Sequence, residues 1–157
     1  MNRYVIDSSV AIKWFIYEDL QAEALAILNE WELGNLECVV PDWFYVEIGN
    51  ILWKKHRNQL ITREEVDTAL AELGNLPLLI KPSHPLNDAA VSFAIKYDRT
   101  VYDSLYVVLA EEEDCPFVTA DDRLANALAP HIPNIVKLAD WKPSPPTALP
   151  PATTPTP

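Results

Sequence analysis

The sequence predicts an α/β fold with a mainly parallel sheet flanked by helices. Short apolar runs rich in β-branched and aromatic residues alternate with longer stretches of helical periodicity, the pattern of strand–helix–strand crossovers. Aspartates close or follow three of the β-type runs. Asp7 ends Tyr4-Val5-Ile6-Asp7, Asp103 ends Thr100-Val101-Tyr102-Asp103, and Asp121 follows Pro116-Phe117-Val118-Thr119-Ala120. In parallel α/β sheets ligands sit outside the carboxyl ends of the strands. Acids at several such ends converge on one pocket, although they are far apart in sequence.

Element by element, a first strand covers about 3–7, and a short helix runs from Val10 to Phe15. A long amphipathic helix follows from about Leu20 to Leu33, with Ala24, Leu25, Leu28 and Trp31 at helical spacing. Gly34-Asn35 stops it. Leu36 to Val40 reads as a second strand ending at Pro41, after which Asp42 caps a helix from Trp43 to about Arg57. Thr62 with Glu65 three residues on forms a capping box for a helix to Leu73, broken at Gly74-Asn75. Leu78-Leu79-Ile80 is a short third strand, Pro85 opens a helix through about Tyr97, and Ser104 to Glu113 is the next. Phe117-Val118 leads into a helix from Asp122 to Leu128, and a strand near Ile135-Val136-Lys137-Leu138 closes the domain.

A single domain over 1–141 is expected, followed by a proline-rich tail over 142–157. Seven of the 14 prolines fall between Pro143 and Pro157, among Ser, Thr and Ala. That composition favours extended polyproline conformations and cannot build a core, so the tail is expected to be disordered. The chain of 157 residues is 49% hydrophobic and 22% charged, the balance of a globular protein rather than a disordered one. Its net charge of −11 does not attract nucleic acid over the whole surface. A nucleic-acid substrate would need local basic groups and a metal, or a basic partner would cover the acidic face.

The amino terminus lacks a signal-peptide core, and no apolar stretch approaches a membrane span, so a cytoplasmic location without membrane contact is expected. Cys38 and Cys115 lie in β-like runs without a CxxC pattern and read as buried free thiols. His56, His84 and His131 show no zinc-ligand spacing.

Each of Asp7, Asp103 and Asp121 has a structural explanation, because aspartate is a favoured helix N-cap. Three caps that all follow apolar runs shift the balance towards a site. Glu47 is harder to explain by packing alone. Its helix presents Phe44, Ile48, Ile51 and Leu52 as an apolar face, and Glu47 projects into or beside it. An unpaired ionised carboxylate there costs several kcal/mol, roughly the desolvation penalty of a buried charge. Clustered carboxylates repel unless a cation neutralises them, and Mg2+ prefers such oxygens. Asn50, one turn on, could orient Glu47 or contact a phosphate. The hydroxyls of Ser8 and Thr119 could position a metal-bound water or Asp121, with plain capping equally compatible. Asp122 is assigned to the first helical turn, facing solvent. Lys13, Lys54, Lys55, Arg57 and Arg123 are candidate phosphate contacts, although cations at a helix C-terminus need no substrate. Trp14, Trp43, Trp53 and Tyr106 read chiefly as core or interface residues.

Together these segments resemble the PIN-domain ribonucleases, particularly the VapC-type toxins of prokaryotic toxin–antitoxin systems. Val5-Ile6-Asp7-Ser8-Ser9-Val10-Ala11-Ile12-Lys13-Trp14-Phe15 is similar to the opening motif of that family, and Pro41 through Glu47 to Asn50 to its second. Tyr102-Asp103-Ser104-Leu105-Tyr106 resembles the third, and Val118-Thr119-Ala120-Asp121-Asp122-Arg123-Leu124 the fourth. The likeness covers about residues 3–138. It implies a three-layer α/β/α sandwich and Mg2+- or Mn2+-dependent endonuclease activity on RNA. It also implies a small antitoxin protein as partner, with a homodimer as the expected assembly. Carried over by position, Asp7, Glu47, Asp103 and Asp121 form the acidic quartet. Asp7, Asp103 and Asp121 would hold the metal, which lowers the pKa of a bound water. Glu47 would orient or deprotonate that water. The proline-rich tail and the strong negative charge are not supplied by the resemblance.

Three other readings compete. One keeps the fold but makes the chain an RNA-processing nuclease without an antitoxin. Another is a phosphoacceptor signalling domain, for which neither Leu78-Leu79-Ile80-Lys81 nor Ile135-Val136-Lys137 offers the required acceptor aspartate or following lysine. The third is a non-catalytic binding module whose aspartates only cap helices.

Overall fold

The computed structural model describes residues 2–143. Five strands form one sheet: β1 (Asn2–Ile6), β2 (Leu36–Pro41), β3 (Leu79–Lys81), β4 (Phe117–Thr119) and β5 (Ile135–Lys137). Every pairing is parallel, in the order β3-β2-β1-β4-β5. Seven helices accompany them among the described residues: α1 (Ser8–Phe15), α2 (Gln21–Glu32), α3 (Trp43–Arg57), α4 (Arg63–Asn75), α5 (Asn87–Tyr97), α6 (Val101–Glu112) and α7 (Asp122–Leu128).

The chain winds outward from β1 through β2 to β3, returns to β4, and continues to β5. Right-handed crossovers therefore put α1 to α4 on one face and α5 to α7 on the other. Contacts agree with this. Helix α1 packs on α2 and α3, and α3 on α4, while α6 packs on α5 and against β1, β2 and β4. This is the expected α/β sandwich. A sheet covered on both sides needs strands that are apolar on both sides. The strand β2 satisfies this, with Leu36, Cys38, Val39, Val40 and Pro41 all buried.

Local signals explain most element ends. Asp7 caps α1, accepting from the Val10 amide. Gly34 ends α2 with φ of 75°, a conformation that costs glycine little. Both halves of the Thr62–Glu65 capping box are present at α4. Within α2 the buried stripe is Ala24 and Ile27, with Leu28 and Trp31 partly buried, whereas Leu25 is 40% exposed. Cys38 and Cys115 are buried and free.

Several expectations are corrected. Thr100 to Asp103 is not a strand: Thr100 caps α6 and accepts from the Asp103 amide, so Val101, Tyr102 and Asp103 are its first turn. The β-branched composition was real, but a side-chain cap and burial of the α6 face override β propensity. Asp42 makes no side-chain cap; its Oδ1 accepts from the Ser83 amide and hydroxyl and so ties the end of β2 to the segment after β3. Pro85 sits in a 3-10 turn, His84–Leu86, and α5 starts at Asn87. The third strand is shifted one residue on, to Leu79–Lys81, and Leu138 belongs to a 3-10 turn rather than to β5. Residues 144–157, most of the expected proline-rich tail, lie outside the described residues.

Candidate active site

The strand order reverses between β1 and β4, so a crevice opens at their carboxyl ends. Asp7 leaves β1 there and Asp121 follows β4, each as the N-cap of the next helix. The helix α3 starts directly beyond β2 and brings Glu47 in on its second turn, and α6 brings Asp103 in on its first. The strand ends thus supply two acids directly and two through helix starts.

Asp7 is buried, with three donors on its carboxyl group. Oδ1 accepts from Ser9 Oγ at 2.5 Å and from the Val10 amide at 3.3 Å, and Oδ2 accepts from Thr119 Oγ1 at 2.5 Å. Burial pushes its pKa up to about 7; the hydroxyl bonds from Ser9 and Thr119 pull it down in part, and the nearby charge of Glu47 raises it again. Thr119 is fully buried and also accepts from the Asp121 amide at 3.0 Å, so one hydroxyl links the two caps across the switch point. Asp121 uses Oδ1 to cap the Leu124 amide at 3.0 Å and stands exposed.

Glu47 is half-buried, and Oε1 accepts from Ser8 Oγ and from Tyr106 Oη, the latter at 2.9 Å. Asp103 is also half-buried. Burial raises its pKa, the Thr100 hydrogen bond lowers it, Asp121 raises it and Arg99 lowers it. The buried Tyr106 phenol feels the charges of Glu47, Asp7 and Asp103 together. The four acids from four separate segments are therefore within electrostatic reach of one another. None of them takes part in an ion pair among the described residues.

Other candidates are placed differently from expectation. Asn50 is exposed on α3, while the bonds that orient Glu47 come from Ser8 and Tyr106. Ser8 serves Glu47 rather than Asp121. Lys13 and Lys55 are not open to a phosphate, because both bind Glu18, Lys13 at 3.0 Å. The Arg57 guanidinium lies over Trp53, 4.6 Å from its ring centre. Lys54 and Arg123 are exposed, as is Asp122. Trp14 is a core residue whose Nε1 donates to the Ala24 carbonyl at 2.9 Å.

Two contributors were missed by sequence reasoning. Ser9 bonds Asp7 and accepts from the Ala120 amide at 2.9 Å, joining the start of α1 to the turn after β4. Tyr106 is core, as read, but its hydroxyl belongs to the site. The available signal was its spacing: Asp103 and Tyr106 are three apart on one helix, hence on one face.

The donor set fits a hard cation. All four groups are carboxylates, and the innermost is desolvated without a basic partner. Among the described residues no three His, Cys, Asp or Glu side chains already close around one point. Mg2+ is ordinarily held by one or two carboxylates and keeps several waters, so a pair of these acids is sufficient.

A family model for the PIN domain matches residues 4–128. Ribonuclease VapC1 of Mycobacterium tuberculosis is 29% identical over 140 residues, covering 88% of this chain and 98% of that protein. Ribonuclease VapC3 of Pyrobaculum aerophilum is 31% identical over 127 residues, covering 78% of this chain and 92% of that protein. A solved toxin–antitoxin complex from Klebsiella pneumoniae includes a chain of similar fold. Its TM-score is 0.59 at 17% identity, covering 86% of this chain and 97% of that one.

Proposed function

This chain belongs to the PIN domain family, and on that premise we propose that it is a metal-dependent endoribonuclease acting as the toxin of a toxin–antitoxin pair. The observation that carries the reading is the convergence of Asp7, Glu47, Asp103 and Asp121 at the switch point, with the buried Asp7 carboxyl lacking a cationic partner. The names of the two ribonuclease relatives support the substrate class.

Asp7, Asp103 and Asp121 are the residues that would hold Mg2+ or Mn2+. When bound, the ion supplies a water of lowered pKa and offsets charge on the scissile phosphate. The remaining chemistry belongs to this chain. Ser9, Thr119 and the Val10 amide hold Asp7 in one orientation, so its carboxylate is set before substrate arrives. Glu47, fixed through Oε1, keeps Oε2 free to accept a proton from the attacking water. Single-stranded or looped RNA is the fitting target, because its backbone can enter a narrow acidic crevice.

The antitoxin reading rests on neighbours that are toxin–antitoxin complexes and on this chain's own surface. Leu25, Leu33, Val46 and Trp53 on or beside α2 and α3 are 40%, 65%, 58% and 51% exposed, apolar side chains of the kind an amphipathic segment covers. A basic residue of such a partner, arginine above all, would offer a forked, permanent cation to the acidic quartet. No described helix is long and apolar enough to cross a membrane.

The test is incubation of the pure protein with a mixed RNA pool, with Mg2+ or Mn2+ and with a chelator. Metal-dependent fragmentation that Asp103→Asn removes is the expected result. Intact RNA under every condition overturns the ribonuclease reading.

A further inference from the structure

We propose that Tyr106 is the positioning residue for Glu47, its hydroxyl and that of Ser8 together saturating Oε1 so that Oε2 alone acts. The inference deepens the ribonuclease reading and rests on it for its kinetic test only.

The geometry is specific. Tyr106 lies on α6 and Glu47 on α3, helices on opposite faces of the sheet, 59 residues apart, and the Oη–Oε1 bond of 2.9 Å joins them over its carboxyl edge. A buried tyrosine needs a partner for its hydroxyl, and a backbone carbonyl would serve that need. Here the partner is instead the carboxylate that the family resemblance places at the reaction. The ring cannot drift: it is 1% exposed and stacked on Phe117 of β4, with centroids 5.9 Å apart and planes 7° from parallel. Phe117 opens β4, the strand whose last residue is Thr119 and which Asp121 follows. One rigid stack thus sets the position of the Glu47 carboxyl relative to the rest of the quartet.

The donor count then selects an oxygen. A carboxylate oxygen has two lone pairs, and Oε1 already receives two hydroxyl protons. Burial, and the charges of Glu47, Asp7 and Asp103, push the Tyr106 phenol far above its usual range, so it stays a neutral donor at every working pH. Ser8, the residue after Asp7 and the first of α1, is the second donor. Without Tyr106 the carboxyl keeps one donor and can rotate about it.

Tyr106→Phe is the deciding variant, because it keeps the ring and removes one oxygen. The expected result is a kcat lowered about 10- to 100-fold, the range a misplaced catalytic group produces, with KM changed less than about two-fold. Added to Glu47→Gln, it should cause no further loss of activity. A second measurement needs no activity: urea midpoints of wild type, Tyr106→Phe, Glu47→Gln and the double variant, all in chelator. Non-additive midpoints show the two side chains coupled, as contacting residues are. Additive midpoints overturn the inference whatever the RNA assay gives. An unchanged kcat in Tyr106→Phe, with an active wild type, overturns it as well. An inactive wild type with coupled midpoints retires the ribonuclease reading and supports the Tyr106–Glu47 contact.

Discussion

Asp7→Asn should stabilise the metal-free protein at alkaline pH and lose that advantage on acidification. In the folded state the Asp7 carboxyl titrates at about 7 because it is buried, against 3.8 for an ordinary aspartate. Between those values the folded protein keeps a proton that the unfolded chain has released. Stability therefore falls as pH rises from about 4, by roughly 1.4 kcal/mol per pH, and levels off above about 7. The full linkage is about 4 kcal/mol at pH 8. An amide at this position does not titrate, so the variant escapes the loss. It also forfeits something: the amide nitrogen cannot accept from Thr119, whose hydroxyl must turn towards Ser9. One hydrogen bond of about 1 kcal/mol leaves a net gain of about 3 kcal/mol at pH 8. Urea unfolding of both proteins in chelator, followed by tryptophan fluorescence from pH 4 to pH 8, measures this directly. The two curves should cross between pH 4 and pH 5, the variant lower on the acid side, and should separate above pH 6 with the variant higher. Saturating Mg2+ should raise the wild type at pH 8 and leave the variant nearly unmoved, since only a protein that binds the ion gains from it. A wild type as stable as the variant at pH 8 in chelator, or a gap that does not depend on pH, would refute the reasoning.

Asp103→Asn should keep the fold and lower metal-dependent RNA cleavage at least 100-fold, because a neutral amide is a poor ligand for a hard cation; wild-type rates would remove Asp103 from the site. Glu18→Gln should lower stability by about 1–3 kcal/mol in urea unfolding, since the buried Lys13 loses its counter-charge. An unchanged midpoint would mean that Lys13 reaches solvent. Thr62→Ala removes one half of the α4 capping box and should cost about 1 kcal/mol, with no change in RNA cleavage. Co-expression with an adjacent small reading frame should yield a co-purifying inhibitor whose effect weakens when its arginine is replaced and at high Mg2+. A chain that is harmless alone, cleaves RNA and brings down no partner would favour an RNA-processing role instead.

Most of the architecture was legible because its determinants are local. The Thr62–Glu65 box, the Gly34 stop and the apolar run of β2 each act within a few residues, and each element stands where those signals place it. Thr100 to Asp103 was misread for the same kind of reason. Val and Tyr suit a strand, and only the cap formed by Thr100 and the packing of α6 against β1, β2 and β4 decide for a helix. Long-range polar partners were the least legible. Nothing near Lys13 in sequence says that Glu18 will be shared with Lys55, and nothing near Glu47 points to a tyrosine 59 residues away. Such pairs depend on how layers meet, which periodicity does not encode.

Capping and chemistry turn out not to be rival explanations for the aspartates. Asp7 and Asp121 each cap the next helix through Oδ1, at 3.3 Å and 3.0 Å, and each still carries Oδ2. A cap fixes the carboxyl by a bond to a backbone amide that the fold needs in any case, so part of the ordering cost falls on folding rather than on ligand binding. The same bond uses only one of the two oxygens, at the carboxyl end of a parallel strand where ligands bind. For Asp7 the second oxygen is held by Thr119, and Thr119 in turn holds the Asp121 amide. The hydroxyl thereby sets the spacing of the two caps. Replacing Thr119 by valine would leave both caps formed and the shape nearly unchanged, yet remove that spacer. Activity should fall while the helix content measured by circular dichroism stays unchanged. If activity survives, the caps alone are enough to place the acids.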